Sequence, residues 1–190
     1  MTLSYPRQST CDSLLFGNVL ITRTEHSVAV RLESDGSTVV TIERIGPRTR
    51  KSVPIGTRDP KCLTGRVGDR EIRLLPGSGR VVKRTYRVVA EVGDRVLSLG
   101  PKDIGTCRFI EGHPHETEKQ FGEFTAHSDG SIAVEWAVPV TIKGLGTTVV
   151  PPEPSVEDVL IGYALAAAFG TGALSLTTIV LGLVSAAFPG

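Results

Sequence analysis

The chain has 190 residues and a net charge of +1, with 40% hydrophobic and 22% charged residues. This length provides one compact domain, or one domain with an appendage, large enough to bury a hydrophobic core. The first ten residues, MTLSYPRQST, lack the basic and apolar regions of a secretory signal. Three widely spaced cysteines (Cys11, Cys62 and Cys107) argue against a disulfide framework and favour reduced thiols in a cytoplasmic protein.

The small net charge conceals a strong asymmetry along the chain. Residues 44–87 contain thirteen Lys or Arg and three Asp or Glu, a net charge of +10. Residues 1–43 carry a net charge of −2, and residues 88–190 carry −7. A stretch this polarised produces a local positive field even on a nearly neutral molecule.

The pattern before residue 150 is that of short β-strands. In HSVAVRLE, Val28, Val30 and Leu32 alternate with polar or small residues, as a half-buried strand requires. Pairs of strand-like segments flank three turn signals, at Asp35-Gly36, Gly93-Asp94 and Ser128–Gly130. Nine to eleven such segments predict a mainly β fold, an antiparallel barrel or barrel-like sandwich.

The predicted β domain covers residues 10–150. Within it, residues 46–65 have no clear period and predict a long basic loop or an irregular crossing. Residues 151–154 form a Pro-rich connector, because prolines stop sheet pairing and stiffen the chain. Residues 155–188 form an apolar helical segment, which we expect to pack in the β domain.

The apolar segment begins with a clear helix start. Ser155 is a good N-cap, and Asp158 three residues later approximates a capping box. A helix is predicted from Val156 to Phe169, followed by a break or bend at GTG, residues 170–172. A second helical segment is predicted over residues 173–187, so the whole forms a broken helix or a helical hairpin.

The stretch from Val159 to Phe188 contains no charged residue, and it has two interpretations. A helix that is hydrophobic on all sides is either embedded in a membrane or surrounded by protein. The length permits a span, but no Lys or Arg follows Lys143, and the GTG break leaves two pieces that are short for crossing a bilayer. We therefore expect residues 159–188 to lie in the core, with a membrane anchor as the alternative.

Three segments carry a resemblance to a known family. They read YRVVAEVGDRVLSLGPKDIGTCRFIEG, FGEFTAHSDGSIAVEW and PSVEDVLIGYALAAAF, and together they cover roughly Tyr86 to Phe169. In pattern and order the chain resembles the tubby C-terminal-like superfamily, which includes LURP-one-related proteins and phospholipid scramblases. The resemblance implies a closed β-barrel around a hydrophobic C-terminal helix, and lipid-headgroup binding as in some members. The apolar segment after Gly172 departs from that pattern.

The sequence shows no specific catalytic constellation. GxSxG, HExxH and phosphate-loop motifs are absent from it. HPHETE contains His113, His115, Glu116 and Glu118, but no second ligand cluster accompanies it, so we interpret it as a solvated loop rather than a metal site. We therefore expect neither an enzyme nor a bound cofactor or metal.

The basic region offers the best candidate site. Arginine and lysine bind phosphate by charge and by hydrogen bonds. The candidate residues for anion or lipid binding are Arg48, Arg50, Lys51, Lys83 and Arg84. The alternative is a surface on which these residues pair with the acidic 88–190 portion. Nucleic acid is a poor match, since this region has one aromatic residue, Tyr86, and no known binding motif.

The sequence therefore predicts a non-enzymatic binding or scaffold protein of tubby-like type, in contact with anionic phospholipid or a membrane surface. One alternative is a tail-anchored membrane protein with a cytoplasmic β domain. Another is a structural subunit that buries its tail in a complex with copies of itself.

Overall fold

Most of the protein is an eleven-stranded antiparallel sheet that curls into a nearly closed barrel. The structure is a computed structural model, and it describes residues 7–80, 82–142 and 147–172. The strands follow chain order, and each is hydrogen-bonded to the next, which gives an up-and-down meander. The predicted mainly β barrel is thus confirmed.

The eleven strands are five to seven residues long, and a separate two-stranded hairpin follows them. The barrel strands are β1 (Arg7–Asp12), β2 (Asn18–Arg23), β3 (Ser27–Leu32), β4 (Val39–Arg44), β5 (Leu63–Val67), β6 (Arg70–Pro76), β7 (Val88–Val92), β8 (Arg95–Pro101), β9 (Thr106–Glu111), β10 (Gln120–Ala126) and β11 (Ile132–Trp136). The hairpin consists of β12 (Val140–Ile142) and β13 (Thr147–Val149), and the helix α1 spans Val156–Phe169.

In several strands, alternate residues line the barrel interior. In β3, Val28, Val30 and Leu32 are buried, while Arg31 between them is exposed, as the period of two predicts. The turns predicted at Asp35-Gly36, Gly93-Asp94 and Ser128–Gly130 join β3 to β4, β7 to β8 and β10 to β11.

The first and last barrel strands approach each other without forming a ladder among the described residues. Side chains bridge the seam instead. The Ile132 amide donates to the Cys11 thiol sulfur at 3.2 Å, and the Trp136 indole N–H donates to the Ser13 carbonyl at 2.7 Å. The Ser9 hydroxyl also donates to the Gly130 carbonyl at 3.2 Å.

Helix α1 fills the interior of the barrel. Every residue from Asp158 to Phe169 is buried, and the helix contacts strands on several sides of the barrel, including β2, β3, β4, β8, β10 and β11. Tyr163 is the one helix residue in this range with a neutral polar side chain, and its hydroxyl donates to the Asp12 carbonyl at 3.0 Å. The helix therefore has no solvent-facing side, which explains why its sequence is apolar all round.

The predicted helix boundaries are also observed. Ser155 and Asp158 form a reciprocal capping box, with Asp158 N–H donating to the Ser155 hydroxyl at 3.2 Å and Ser155 N–H donating to the Asp158 carboxylate at 2.9 Å. Asp158 also lies 2.8 Å from the Arg95 guanidinium. Burial alone would lower the pKa of Arg95, but the Asp158 and Glu111 carboxylates raise it on balance. Gly170, at φ 78°, ends the helix.

Between the core and membrane interpretations, the structure supports the core for the part that it describes. Residues 159–169 lie inside the barrel, and the helix ends at Phe169 rather than continuing toward Phe188. Among the described residues, no helix is long and apolar enough to cross a bilayer. The predicted second helical segment, residues 173–187, lies outside the described residues.

Some predicted strand boundaries were wrong. The strand-like segment predicted before the Gly93-Asp94 turn is KRTYRVVAEV, residues 83–92. It begins instead with a short 3₁₀ helix, Lys83–Tyr86, and the strand starts at Val88. The irregular basic stretch predicted over 46–65 ends earlier, because β5 begins at Leu63. β1 begins at Arg7, before the start of the predicted β domain at residue 10.

The glycine inside the helix provides a test of its enclosure. A Cβ at Gly162 would lie 2.8 Å from Phe124 Cζ and 3.2 Å from Phe109 Cε1. Alanine favours an exposed helix by about 1 kcal/mol, but overpacking a core costs roughly 1–3 kcal/mol. We therefore expect Gly162→Ala to lower the free energy of unfolding, measured by urea denaturation. Gly105→Ala, whose Cβ meets nothing within 4 Å, is the matched control. A Gly162→Ala variant as stable as the wild type would contradict the enclosed helix.

The start of the helix provides a second test. Asp158→Ala removes the cap and leaves Arg95 without its buried partner, so we expect a loss of roughly 2 kcal/mol in unfolding free energy. The neighbouring ion pair of Glu157 with Arg70 is more exposed, and Glu157→Ala should cost less than about 1 kcal/mol. Equal effects of the two substitutions in thermal unfolding would contradict this account of the cap.

Candidate functional site

The two long basic connections of the chain meet at the barrel end where α1 ends. The connection between β4 and β5 covers residues 45–62, and the connection between β6 and β7 covers residues 77–87. The Ile55 N–H donates to the Ala168 carbonyl in the last turn of the helix, at 2.8 Å. The meander places both connections at this end, since each joins strands that run toward and away from it. We call this end of the barrel the mouth.

Arg58 is the central cation of the mouth. Its residue surface is 7% exposed, and its guanidinium carbon lies 5.5 Å from the Phe169 ring centre and 5.7 Å from the Tyr86 ring centre. Burial lowers the pKa of Arg58 to about 10, and the nearby Arg50 adds to the decrease. The group is still charged at neutral pH. Within the described part of the chain, no carboxylate lies within ion-pair distance of it.

Backbone carbonyls and aromatic rings, rather than a carboxylate, contact the Arg58 guanidinium. Its Nε–H donates to the Gly77 carbonyl at 3.1 Å, and an Nη2–H donates to the Tyr86 carbonyl at 2.5 Å. The negative end of the helix dipole at Phe169 also favours a cation here. A guanidinium has five N–H donors, so three of them have no acceptor among the described residues. These donors are available to a ligand.

Arg50 ties the same two connections together. Its Nη1–H donates to the Gly79 carbonyl at 3.1 Å, so Gly77 and Gly79 each accept from one arginine of the other connection. A Cβ at Gly79, which has φ 58°, would lie 2.8 Å from Arg58 Cδ. The absence of a side chain at Gly79 therefore lets the two connections approach closely.

The mouth opens into a pocket of about 940 Å³. Its charged lining includes Arg50, Arg58 and Arg80, and its apolar lining includes Val53, Ile104 and Phe169. Ile104 is 57% exposed, which is unusual for a large aliphatic residue beside a cavity. We call this the mouth pocket. It combines a cationic side with an apolar side, which is the arrangement that an anionic amphiphile needs.

The chain leaves the barrel along one side of the mouth pocket. The Thr171 hydroxyl donates to the Gly105 carbonyl at 2.6 Å and accepts from the Ala126 N–H at 2.8 Å. The Gly172 N–H donates to the Cys107 sulfur at 3.1 Å. Burial raises the pKa of the Cys107 thiol to about 11, so this cysteine is a structural group at neutral pH.

The five predicted site residues do not form one cluster. Arg50 lines the mouth pocket, and Lys51 is exposed beside it in sequence. Arg48 donates to the carbonyls of Val53 and Pro54, at 2.9 and 3.1 Å, which gives it a role in shaping the connection. Lys83 and Arg84 are exposed on the 3₁₀ helix, and Arg84 lines a separate cleft on the outer wall.

Six of the twelve acidic residues of the 88–190 portion form ion pairs among the described residues, all with cations outside the candidate set. Glu157 pairs with Arg70, Glu91 with Arg73, Glu111 and Asp158 with Arg95, Glu123 with Lys102, and Glu116 with Lys119. Among the described residues, none of the five predicted site residues forms an ion pair. The alternative of a surface that pairs with the acidic 88–190 portion therefore holds for Arg70 and Arg73. It does not hold for the five candidate site residues.

The apolar half of the mouth pocket was missed at the level of sequence. Phe169 was assigned to the helix and Val53 to an irregular loop, and neither was connected to ligand binding. The available signal was the position of a large aromatic residue directly before the GTG break. Topology alone brings Ile104, from the turn between β8 and β9, to the same place.

The HPHETE segment forms the connection between β9 and β10. The rings of His113 and His115 stack with their centres 5.9 Å apart. Glu116 accepts from the His113 N–H and from Lys119, and these interactions lower the pKa of Glu116 to about 2, the Lys119 contact contributing most. In the described residues, no group of three or more His, Cys, Asp or Glu side chains is arranged to hold a metal ion.

Comparison with protein-family models, with curated proteins and with solved structures finds no match to this chain. The resemblance to the tubby C-terminal-like superfamily therefore stays a prediction from the sequence pattern. The function has to be argued from the site itself.

The role of Arg58 in the mouth gives a direct test. Lysine lacks the planar fork that reaches two carbonyls and stacks on two rings. We expect Arg58→Lys to lower the free energy of unfolding by about 1–3 kcal/mol, because it leaves buried carbonyls without donors. Lys61→Gln, an exposed change of charge nearby, should stay within about 0.5 kcal/mol of the wild type. Equal chemical denaturation curves for wild type and Arg58→Lys would contradict the proposed geometry.

Proposed function

We propose that this protein is a non-enzymatic binding protein for anionic phospholipid, which it takes up at the mouth pocket. The observation that carries the proposal is the buried Arg58, which keeps unpaired donors beside an apolar pocket. A buried cation without a carboxylate partner is costly. An anionic ligand would supply the missing partner.

The lining of the pocket matches the two parts of a phospholipid. Arg58, Arg50 and Arg80 would donate hydrogen bonds to the phosphate, where arginine gives bidentate geometry. Phe169, Val53 and Ile104 would contact the adjoining apolar part of the lipid. Ligand sites commonly have this composition, with a mostly apolar wall and a few polar groups that fix orientation.

Exposed cations around the pocket would favour a membrane surface. Lys51, Arg80 and Lys83 are exposed and have no ion pair within the described ranges. Each basic residue near an anionic leaflet contributes about 1 kcal/mol. A cytoplasmic protein with free cysteines, as the sequence predicts, would meet such a leaflet on the inner side of a membrane.

Binding to vesicles tests the proposal. The wild type should sediment with vesicles of phosphatidylcholine plus phosphatidylserine and not with phosphatidylcholine alone. The variant Arg50→Gln/Lys51→Gln/Arg80→Gln/Lys83→Gln should bind at least about 100-fold more weakly, since it loses four contributions of about 1 kcal/mol each. Arg48 is left intact because it shapes the connection.

A control variant removes the same charge from the barrel wall. It carries Gln at Arg31, Arg66, Arg70 and Arg73, which lie on β3, β5 and β6. This variant should retain most of the vesicle binding. If both variants lose binding equally, net charge rather than the mouth is responsible, and the proposal fails.

A chain ending at Gly172 separates the two alternatives that the sequence left open. If the mouth variant still binds vesicles and the shortened chain does not, residues 173–190 carry the membrane contact, and the tail-anchored alternative replaces the proposal. If the full chain assembles with rising concentration in sedimentation velocity and the shortened chain does not, the structural-subunit alternative gains. Vesicle binding by the shortened chain supports the mouth.

A further inference from the structure

A second cationic cleft lies on the outer wall of the barrel. Its volume is about 290 Å³, and three arginines and one histidine line it: Arg84, Arg87, Arg108 and His115. The cleft is bounded by β8 and β9, by the 3₁₀ helix at Lys83–Tyr86 and by the connection that carries HPHETE. It shares no lining residue with the mouth pocket. We call it the arginine cleft.

The three arginines have no acidic partner in the described part of the chain. Two acids next to cleft residues, one in register and one in sequence, pair with other cations. Glu123, the register partner of Arg108 on β10, pairs with Lys102 at 2.7 Å. Glu116, next to His115 in sequence, pairs with Lys119 at 2.7 Å and accepts from a backbone N–H. Three guanidinium groups around one cleft therefore remain without compensation.

The lining of the arginine cleft includes a glycine, which leaves room for a ligand. Gly100 follows the buried stretch Leu97–Leu99 of β8, and a Cβ there would meet only Pro114, at 3.9 Å. Ile110 forms an apolar part of the lining. Its register partner Ser98 is fully buried, and the Ser98 hydroxyl has no hydrogen-bond partner within the described residues. A buried hydroxyl without a partner is uncommon in native proteins.

We infer that the arginine cleft binds the phosphate group of a phosphate monoester. Arginine matches phosphate geometry through paired N–H donors, and a dianionic phosphate balances the charge of three guanidinium groups better than a single carboxylate does. The volume is at the lower end for small-molecule sites, which suits a phosphate with a small organic substituent. The inference is independent of the proposed function, because the two sites use different residues.

Titration with soluble phosphate compounds tests this inference. Inorganic phosphate and glycerol 3-phosphate are added to the full-length protein, and backbone amide shifts are followed by NMR. Saturable shifts should appear at Gly100, Arg108 and Thr117, which line the cleft. The variant Arg87→Gln/Arg108→Gln should bind at least about 10-fold more weakly, since it removes charge-assisted hydrogen bonds to the phosphate.

Two further variants keep the test specific. Gly100→Leu fills the cleft without changing charge, and it should weaken binding as much as the double substitution does. Arg31→Gln/Arg66→Gln removes two charges from another part of the barrel wall, outside both sites, and should leave phosphate binding unchanged. Shifts that do not saturate, or equal affinity in the cleft and wall variants, would overturn the inference.

The same variants identify the source of the phosphate. Vesicles containing phosphatidylinositol 4-phosphate present the group on a lipid, whereas glycerol 3-phosphate presents it in solution. Binding of either one that depends on Arg87 and Arg108 supports the site. Binding of neither one overturns it. Loss of vesicle binding in the mouth variant, with glycerol 3-phosphate binding intact, shows that the two sites act separately.

Discussion

A helix without a polar side has to be enclosed in every direction, and this requirement organises the molecule. Eleven strands close around a lumen that side chains alone do not fill, so the helix and the barrel need each other. The fit is close enough that a glycine is required at Gly162, where Phe109 and Phe124 approach the helix backbone. The aromatic rings take the space that a side chain on the helix would otherwise occupy.

The enclosure also makes the two ends of the barrel chemically different. At the start of α1, carboxylates of the helix pair with Arg70 and Arg95. The carboxylates lie at the positive end of the helix dipole, and the two arginines compensate their negative charge. At the other end the helix presents Phe169 and the negative end of its dipole, which favours cations. The long connections supply these cations in excess, so charge is balanced at one end and unbalanced at the other.

The sequence predicted the parts of the fold that depend on local chemistry. Turn residues predicted the hairpins, and the alternation of apolar and polar residues predicted β3. The capping pair Ser155 and Asp158 predicted the start of the helix. The site was only partly predictable, because the basic composition of residues 44–87 gives no direction to each side chain. Arg50 and Arg58 reach from one connection to carbonyls of the other, Arg48 donates to carbonyls of its own connection, and Arg84 lies in another cleft. Those differences arise from tertiary contacts between distant segments of the chain. The fold also brings Ile104, from the turn between β8 and β9, to the mouth pocket.

The order of the elements along the chain has a consequence for synthesis. The strands leave the ribosome before the helix that fills their interior, so β1 to β11 have no complete core until α1 follows them. The seam between β1 and β11, bridged by side chains rather than a backbone ladder, provides a place where an unfinished barrel can stay open. During that interval the inward faces of the strands are exposed, and such species associate readily. Folding of this chain should therefore be slow and sensitive to chaperones, since its decisive contacts join the end of the chain to strands near the beginning.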